Sequence, residues 1–305
     1  MKKTPNRGGL LRVLGAGGAL SLGWALLSAS PAMAASLEAK MFAITQWTTE
    51  CGGSTRNSWD DMARGWYDEV TSQGVFYKDG AYVNGSMSRG RFCDPDAPTS
   101  TSCQDDSFLD DADAAIIALH GADSGNHWAG SLRVKDSSGQ CSLDAAEGAS
   151  SDDLFAGDVD LEFLHLSSCY SMDDDNINFA WRMFQDGDSA INGQRLHQVD
   201  GFHGLMWISS GRVDDYEDFA DDAHDVSIRT AWLDNMYDDD VNGTGDEQCP
   251  VALAVGTTPS DALSRLRGER YTNIYSDPGA IHGWAYGFFE GCDPAGETPF
   301  NDPND

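Results

Sequence analysis

The sequence predicts a three-layer α/β/α sandwich built around a mostly parallel sheet. Apolar segments typical of strands alternate with amphipathic segments typical of helices from about residue 39 to residue 289. The strand segment AAIIALHG at 114–121 is a continuous apolar run, which is typical of a strand that a parallel sheet buries on both faces. DLEFLHLSSC at 160–169 is the next strong strand segment. No internal repeat or linker is visible, so we expect one domain over residues 35–290.

The first 34 residues are predicted to be a secretory signal peptide. Four basic residues, Lys2, Lys3, Arg7 and Arg12, precede or open the apolar stretch VLGAGGALSLGWALLS, and an Ala-x-Ala cleavage site ends at Ala34. An uncleaved membrane anchor is the alternative interpretation, but the apolar stretch is short and rich in glycine. We therefore expect a secreted or otherwise extracytoplasmic protein that leaves the membrane once the signal is removed.

The elements of the first half follow in order after the signal. AKMFAITQW at 39–47 predicts a first strand, and the segment 57–74 predicts a helix whose apolar face repeats at helical spacing. Gly74 is a suitable stop for that helix. Residues 75–110 are predicted to be irregular, and the strand 114–121 follows. The remaining assignments are SLRVKD at 131–136 as a shorter strand and 136–157 as a Ser/Asp/Gly-rich loop.

The second half continues the alternation of strands and helices. Thr258 as N-cap and Pro259 at the first helical position predict a well-defined helix over 257–268. The polar segment 291–305 is predicted to be a loose tail. The other predicted elements are strands at 160–169, 201–209, 251–256 and 281–289, and helices at 176–186 and 215–237.

Charge and cysteine content limit the partners and the compartment. The chain has 19 basic and 50 acidic residues, a formal net charge of −31, which disfavours binding to nucleic acid or anionic lipid. Adaptation to a salty medium is the simplest interpretation of this charge. The 7 cysteines are an odd number, so in an oxidising compartment six could form three disulfides and one would remain free. The sequence does not determine the pairing.

Two of the predicted strands end in residues that can do chemistry. One ends at His120-Gly121 and the other at Ser168-Cys169, and in parallel sheets reactive groups collect at the carboxyl ends of strands. If the two strands are neighbours, the imidazole can serve as base and acid for the thiol. The backbone N–H groups of Gly121 and Cys169 could then form an oxyanion hole.

These motifs resemble those of the caspase-like (clan CD) cysteine peptidases, which include caspases, metacaspases, legumains and gingipains. His120 and Cys169 are 49 residues apart, near the spacing of about 50 that caspases show. SSCYSM is similar to the metacaspase pattern DSCHSG, and the strand and helix order is similar over about residues 40–290. The chain also resembles an uncharacterised group of secreted bacterial proteins with that fold. The resemblance implies a caspase-like sheet and a Cys-His dyad acting on peptide bonds.

The resemblance has limits at the substrate-binding positions. Where metacaspases carry an acidic residue two positions before the cysteine, this chain has Ser167, so specificity for Arg or Lys does not follow. The caspase signature around the cysteine is also absent, so specificity for Asp is not implied. Asp123 and Ser167 are the candidates for lining a substrate cleft, although a loop role is the simpler interpretation of Asp123.

A structural calcium ion is a further hypothesis, and no cofactor is expected to be required. DDDVNG places Asp238, Asp240 and Asn242 in the alternation of a calcium loop, but its twelfth position is Cys249 instead of glutamate. The three aspartates at 173–175 follow the cysteine, and helix capping is their simplest interpretation.

The leading hypothesis is a secreted cysteine peptidase-like hydrolase with a peptide or protein substrate. The first alternative is a catalytically inactive secreted binding protein on the same fold, in which Cys169 would be disulfide-bonded or inert. The second alternative is a metal-dependent hydrolase that uses the acidic loops and tolerates the loss of Cys169.

Overall fold

The computed structural model describes residues 37–95, 102–125, 127–135, 139–145, 154, 156–177 and 194–301, and the backbone of 11–14. The fold is mixed α/β, with a large and mostly parallel sheet between two covering layers, as predicted. The described α-helices are α1 Ser58–Ser72, α2 Val213–Asp225, α3 Ile228–Met236 and α4 Pro259–Gly268. The described strands are β1 Leu11–Leu14, β2 Leu37–Ala43, β3 Phe76–Val83, β4 Ala114–Ala118, β5 Gly121–Asp123, β6 Trp128–Ser131, β7 Ser142–Ala145, β8 Phe163–Ser167, β9 Gln198–His203, β10 Cys249–Gly256 and β11 Gly283–Gly287.

The large sheet has the strand order β1-β11-β10-β9-β8-β4-β2-β3, and a small antiparallel sheet has the order β5-β6-β7. Strands β3, β2, β4, β8 and β9 run parallel, whereas β10, β11 and β1 are antiparallel to their neighbours. Strands β4 and β8 pair directly, with Ala114 opposite Phe163 and Ala118 opposite Ser167. Because the two strands are parallel, their carboxyl ends meet at one edge of the sheet.

One face of the sheet is covered by the four helices α1–α4. The apolar stripe of α1 is buried against this face as the helical spacing predicts, and the N-cap of α4 is also as predicted, since the Thr258 side chain accepts a hydrogen bond from the Asp261 N–H. The buried side chains of the α1 stripe are Trp59, Met62, Trp66 and Val70.

The opposite face is covered by the small sheet and by segments without regular structure. Trp128 of β6 is fully buried here together with Leu143 of β7. Ile177, in the predicted helix 176–186, is buried in the same layer, while residues 178–186 of that helix lie outside the described residues. Among the residues that the structure describes, no helix is both long enough and apolar enough to cross a bilayer.

Three disulfides are present, which confirms that the chain carries disulfide bonds. They join Cys51 to Cys141, Cys93 to Cys103 and Cys249 to Cys292. Cys169 is the free cysteine. Disulfides of this kind are typical of proteins that fold in an oxidising, extracytoplasmic compartment.

Several predicted elements need correction. The segment 75–110 contains the edge strand β3, whose exposed polar residues hide the strand pattern. In the region predicted as strand 131–136 and loop, the strands are instead β6 and β7. The long helix 215–237 is two helices, because Ser227 adopts an extended backbone and caps α3 by accepting a hydrogen bond from the Thr230 N–H.

The C-terminal segment is anchored to the domain as far as the structure describes it, in contrast to the loose tail that its polar composition predicts. Cys292 is bonded to Cys249, and the Phe300 ring stacks on Phe288 with ring centroids 4.2 Å apart. Backbone hydrogen bonds, such as that from the Leu205 N–H to the Ala295 carbonyl at 3.2 Å, add to the disulfide and the aromatic contact in fixing this segment.

The predicted signal peptide lies outside the described residues except for the backbone of β1, which pairs with β11 at the sheet edge. Cleavage after Ala34 would remove β1 and open that edge of β11.

Candidate active site

The sheet register places His120 and Cys169 opposite each other. Ala118 is paired with Ser167, and the Leu119 N–H donates to the Ser167 carbonyl at 3.3 Å, which continues the parallel ladder beyond both strands. Extended by two residues, the same register aligns the backbone of His120 with that of Cys169, and a Cβ atom at the next residue, Gly121, would lie 2.3 Å from the Cys169 carbonyl oxygen. The two predicted strands are therefore neighbours, and their ends bring the backbones of the two predicted catalytic residues to one edge of the sheet.

His120 is half-buried and held by one backbone group. Its Nε2 atom lies 3.0 Å from the carbonyl oxygen of Ser54. Because a carbonyl can only accept, Nε2 carries a proton and Nδ1 is the basic nitrogen of the neutral ring. Burial lowers the pKa of His120 below its usual 6.5, an effect that the Ser54 carbonyl opposes. The ring is therefore neutral near pH 7 and can accept a proton.

Two tryptophans fix the plane of the imidazole. The His120 ring centroid lies 4.4 Å from that of Trp47 and 4.7 Å from that of Trp59. Trp59 is fully buried in α1, while Trp47 is partly exposed and lies in the loop that follows β2. The Trp47 indole N–H donates to the Ser131 carbonyl at 3.1 Å. Trp47 therefore forms a partly open aromatic wall beside the imidazole.

The loop that carries Ser54 is tied down on both sides. The Arg56 N–H donates to the Thr45 carbonyl at 2.8 Å, which closes the loop on itself. The Asn84 side chain accepts from the Thr45 N–H at 2.9 Å. The disulfide between Cys51 and Cys141 joins this loop to the small sheet. These restraints hold the Ser54 carbonyl where it orients His120.

The Cys169 thiol is mostly shielded from solvent. Its Sγ lies 3.8 Å from the Met206 carbonyl, which follows β9. Burial raises the pKa of the thiol above its usual 9.0, opposed by hydrogen bonds to the backbone of Met206 and of Cys169 itself and by the charge of Arg56. The resting thiol and the resting imidazole are therefore both neutral. A thiol with a raised pKa would need a base to remove its proton in any nucleophilic attack.

Gly121 is required by close packing at this edge. A Cβ atom placed there would lie 2.3 Å from the Cys169 carbonyl oxygen and 2.2 Å from Ser168 Oγ. The Ser131 N–H donates to the His120 carbonyl at 2.7 Å, so His120 and Ser131 form a hydrogen-bonded antiparallel pair. Gly121 is then in a non-hydrogen-bonded position opposite Gly130, and its N–H points away from β6.

The two predicted cleft residues have different surroundings. Ser167 is fully buried, and its hydroxyl lies 2.7 Å from that of Tyr216 in α2. It therefore packs the end of β8 against α2 and does not line an open cleft. Asp123 is exposed in β5, and its Oδ1 accepts from Asn176 Nδ2 at 3.3 Å. Asp123 thus joins the small sheet to the loop after Cys169, at the rim of the site.

The aspartates after Cys169 are used structurally. Asp173 Oδ1 lies 3.2 Å from His203 Nδ1, and His203 Nε2 lies 2.8 Å from the Thr298 carbonyl. Burial would lower the pKa of His203, but the Asp173 carboxylate overrides it and the pKa is raised. The Asn301 N–H donates to Asp174 Oδ2 at 2.7 Å. These contacts fasten the loop after the thiol to β9 and to the C-terminal segment.

The predicted calcium loop has partners of its own. Asp238 pairs with Arg212, and its Oδ1 accepts from the Asp240 N–H at 3.1 Å. Asp240 Oδ1 accepts from the Gly245 N–H at 2.8 Å, and Asn242 has a left-handed backbone with φ of 55°. These bonds form an acidic turn, and calcium binding by Asp238, Asp240 and Asn242 stays a prediction.

Sequence reasoning missed three residues that shape this site. Ser54 acts through its carbonyl, which no side-chain pattern reveals. Arg56 is exposed, and its charge acts on both His120 and Cys169. Trp128 donates its indole N–H to Ser168 Oγ at 3.1 Å. Only Arg56 carries a sequence signal, as one of few basic residues in an acidic chain.

Comparison with known proteins gives a family without an assigned activity. A search of curated proteins finds no match. A family model described as "Domain of unknown function (DUF6345)" matches residues 45–263, a span that includes both His120 and Cys169. Because this match covers more than half of the chain, the protein belongs to the DUF6345 family.

Proposed function

We propose that the protein is a cysteine hydrolase that cleaves peptide bonds with Cys169 as nucleophile and His120 as base and acid. One observation supports the proposal: the parallel pairing of β4 and β8 brings the segment with the free Cys169 and the segment with His120 to one edge of the sheet, and the Ser54 carbonyl defines the basic nitrogen of His120. A nucleophile, a base and a group that orients the base are the parts that such catalysis needs.

The proposed reaction has two stages. In the first, Cys169 Sγ attacks the carbonyl carbon, its proton passes to His120 Nδ1, and the N–H groups of Gly121 and Cys169 stabilise the oxyanion. The C–N bond then breaks, and His120 delivers its proton to the leaving amine. In the second stage water attacks the thioester and His120 takes a proton from the water. The C–S bond then breaks, the acid product leaves, and His120 returns the proton to Cys169 Sγ, which restores the thiol.

The surroundings of the pair support a nucleophile that is activated only during attack. Both groups are neutral at rest, because burial raises the pKa of Cys169 and lowers the pKa of His120. A buried neutral thiol is protected from oxidation in an oxidising compartment, since the thiolate is the reactive form. We propose that the protein is secreted after cleavage at Ala34, which its three disulfides support.

A non-catalytic binding protein on the same fold is the second candidate. The raised pKa of Cys169 favours it, because many cysteine nucleophiles are activated by a lowered pKa. In that case the half-buried thiol would remain unreactive in the folded protein.

The test is covalent trapping followed by a substrate screen. Mature protein is incubated with a mixture of peptidyl acyloxymethyl ketones of varied sequence, and the modified residue is mapped by mass spectrometry. We expect modification at Cys169 and cleavage of peptides that carry the preferred sequence, with both lost in Cys169→Ala. Asp239→Ala, at an exposed position, serves as the matched control. Cleavage that survives Cys169→Ala and stops on chelation would support a metal-dependent hydrolase instead.

A further inference from the structure

A buried acidic cluster lies ahead of β4, in a segment that the proposed reaction does not use. One carboxylate oxygen from each of Asp94, Asp105 and Asp106 lies within 4.8 Å of the other two. Asp94 and Asp105 are buried, and Asp106 is exposed. The Cys93–Cys103 disulfide joins the chain next to Asp94 to the chain just before Asp105. The Asp105 N–H donates to the Cys93 carbonyl at 3.4 Å.

Asp105 is the side chain that points to a ligand. It is fully buried, its Oδ1 accepts from the Asp106 N–H at 3.0 Å, and its Oδ2 has no hydrogen-bond partner. No ion pair among the described residues involves Asp105. An unpaired buried carboxylate oxygen is costly, so a buried oxygen of this kind normally has a proton or a cation beside it.

The electrostatics agree with this geometry. Burial first, and then the charges of Asp158, Asp94 and Asp106, together raise the pKa of Asp105 to about 9. A bound cation would relieve both the burial and the mutual repulsion of these carboxylates.

We propose that Asp94, Asp105 and Asp106 bind one calcium ion. The ligands are all oxygen, which hard cations prefer. The three carboxylate oxygens lie within 4.8 Å of one another, close enough to bind one ion together. Three carboxylates from the protein suit calcium, whereas magnesium usually keeps several waters and binds through one or two carboxylates. The exposed Asp106 leaves a route by which the ion enters.

The site is structural, since it lies at the opposite end of β4 from His120. The Asp110 N–H donates to the Asp105 carbonyl at 3.0 Å, and Asp110 in turn accepts from backbone N–H groups ahead of β8. A calcium ion at Asp105 would thus stabilise the segments that lead into both β4 and β8. This inference is independent of the proposed peptidase activity.

The test is calcium titration of EGTA-treated, desalted protein at constant ionic strength, followed by calorimetry and thermal unfolding. We expect one bound calcium per chain and a rise in Tm of roughly 5 °C at a hundredfold excess over the dissociation constant. Magnesium at the same concentration should give a much smaller shift. Asp105→Asn and the exposed-ligand variant Asp106→Asn should each weaken calcium binding at least about tenfold.

The matched control is Asp240→Asn, in the exposed turn that the sequence nominates for calcium. It should leave calcium affinity within about twofold of the wild type if the ion binds at Asp105. The inference is overturned if the wild-type protein shows no calcium-dependent shift, if the two cluster variants keep it, or if Asp240→Asn abolishes it. Because the Asp106 side chain is exposed, Asp106→Asn should fold normally, and a loss of calcium binding in this variant would then reflect the loss of a ligand.

Discussion

The two ends of strands β4 and β8 are built in opposite ways. We call their carboxyl ends, with His120 and Cys169, the dyad edge, and their amino ends, with Asp105 and Asp110, the acid edge. At the dyad edge, aromatic rings and backbone groups surround two neutral side chains. At the acid edge, burial and neighbouring charges raise the pKa of Asp105 to about 9.

The acid edge includes further carboxyl groups next to the strands. Burial, and then the neighbouring acidic residues, raise the pKa of Glu162 to about 10. Burial raises the pKa of Asp113 to about 6. The many acidic residues of this chain are therefore not all on its surface. Some of them are buried at one end of the sheet, where they accept hydrogen bonds from backbone N–H groups. The comparison teaches that carboxyl groups anchor the amino ends of these strands, while their carboxyl ends present His120 and Cys169 among aromatic rings and backbone groups.

The largest expected effect is the loss of an anchor at the acid edge. Asp110 accepts from the N–H groups of Gly157, Asp158, Val159 and Leu161, at 2.5–3.4 Å. Asp110→Ala leaves these buried and partly buried donors without their acceptor, and we expect a loss of about 4 kcal/mol in the free energy of unfolding. Urea unfolding followed by circular dichroism measures it. Asp239→Ala, an exposed carboxylate, should change stability by less than about 0.5 kcal/mol. A loss at position 110 no larger than at position 239 would refute the anchoring role.

Crowding at the dyad edge gives the next effect. In Gly121→Ala the new methyl group would overlap the Cys169 carbonyl and Ser168 Oγ, so we expect a loss of about 3 kcal/mol together with slower alkylation of Cys169. Gly85→Ala is the matched control, because a Cβ atom at position 85 has no neighbour within 4 Å. Equal stability of the two variants would contradict the close approach at Gly121.

Removing one disulfide or another should affect the two edges differently. Removing Cys51–Cys141, by replacing both cysteines with alanine, frees the loop that holds the Ser54 carbonyl against His120. We expect alkylation of Cys169 to slow by about 10-fold while Cys169 stays in its place. The matched control replaces Cys93 and Cys103, which should weaken calcium binding and leave the alkylation rate nearly unchanged. The comparison fails if the second pair slows alkylation as much as the first.

The smallest effect is a pH dependence from the His203–Asp173 pair behind Cys169. The pKa of His203 is raised above 6.5 in the folded protein, so its contribution is complete below pH 6.5 and is lost as pH rises through the folded pKa. Asp173 has a lowered pKa, so its contribution is present above 3.8 and is lost as pH falls through the folded pKa. His203→Gln should flatten the fall in stability above pH 6.5, by on the order of 1 kcal/mol. Unchanged pH curves would show that the pair does not titrate as described.

The fold, and the position of His120 and Cys169 at one edge of the sheet, could be predicted because their signals are local. Continuous apolar runs identify β4 and β8, and residues at the ends of parallel neighbours are brought together by the sheet itself. Helical spacing identifies α1 in the same way. The short strand β6 and the split after Val226 escaped prediction, because they depend on the packing of Trp128 and on one capping hydroxyl at Ser227.

The supporting groups of the site had weaker signals. The Ser54 carbonyl carries no side-chain signature, and its approach to His120 depends on a disulfide between distant cysteines. The calcium site predicted from the sequence rested on a local loop pattern, the alternation of Asp238 and Asp240. The buried cluster joins Asp94 to Asp105 and Asp106 across a disulfide loop, so no regular spacing marks it.

The most direct test of the dyad is the rate at which iodoacetamide alkylates Cys169 in the folded, non-reduced protein at pH 7. The account predicts that Cys169 alone is labelled, and that His120→Ala slows labelling on the order of 100-fold because the neutral thiol loses its base. His282→Ala, an exposed histidine, should leave the rate unchanged. Labelling that is equally fast without His120, or that needs unfolding, would contradict the dyad.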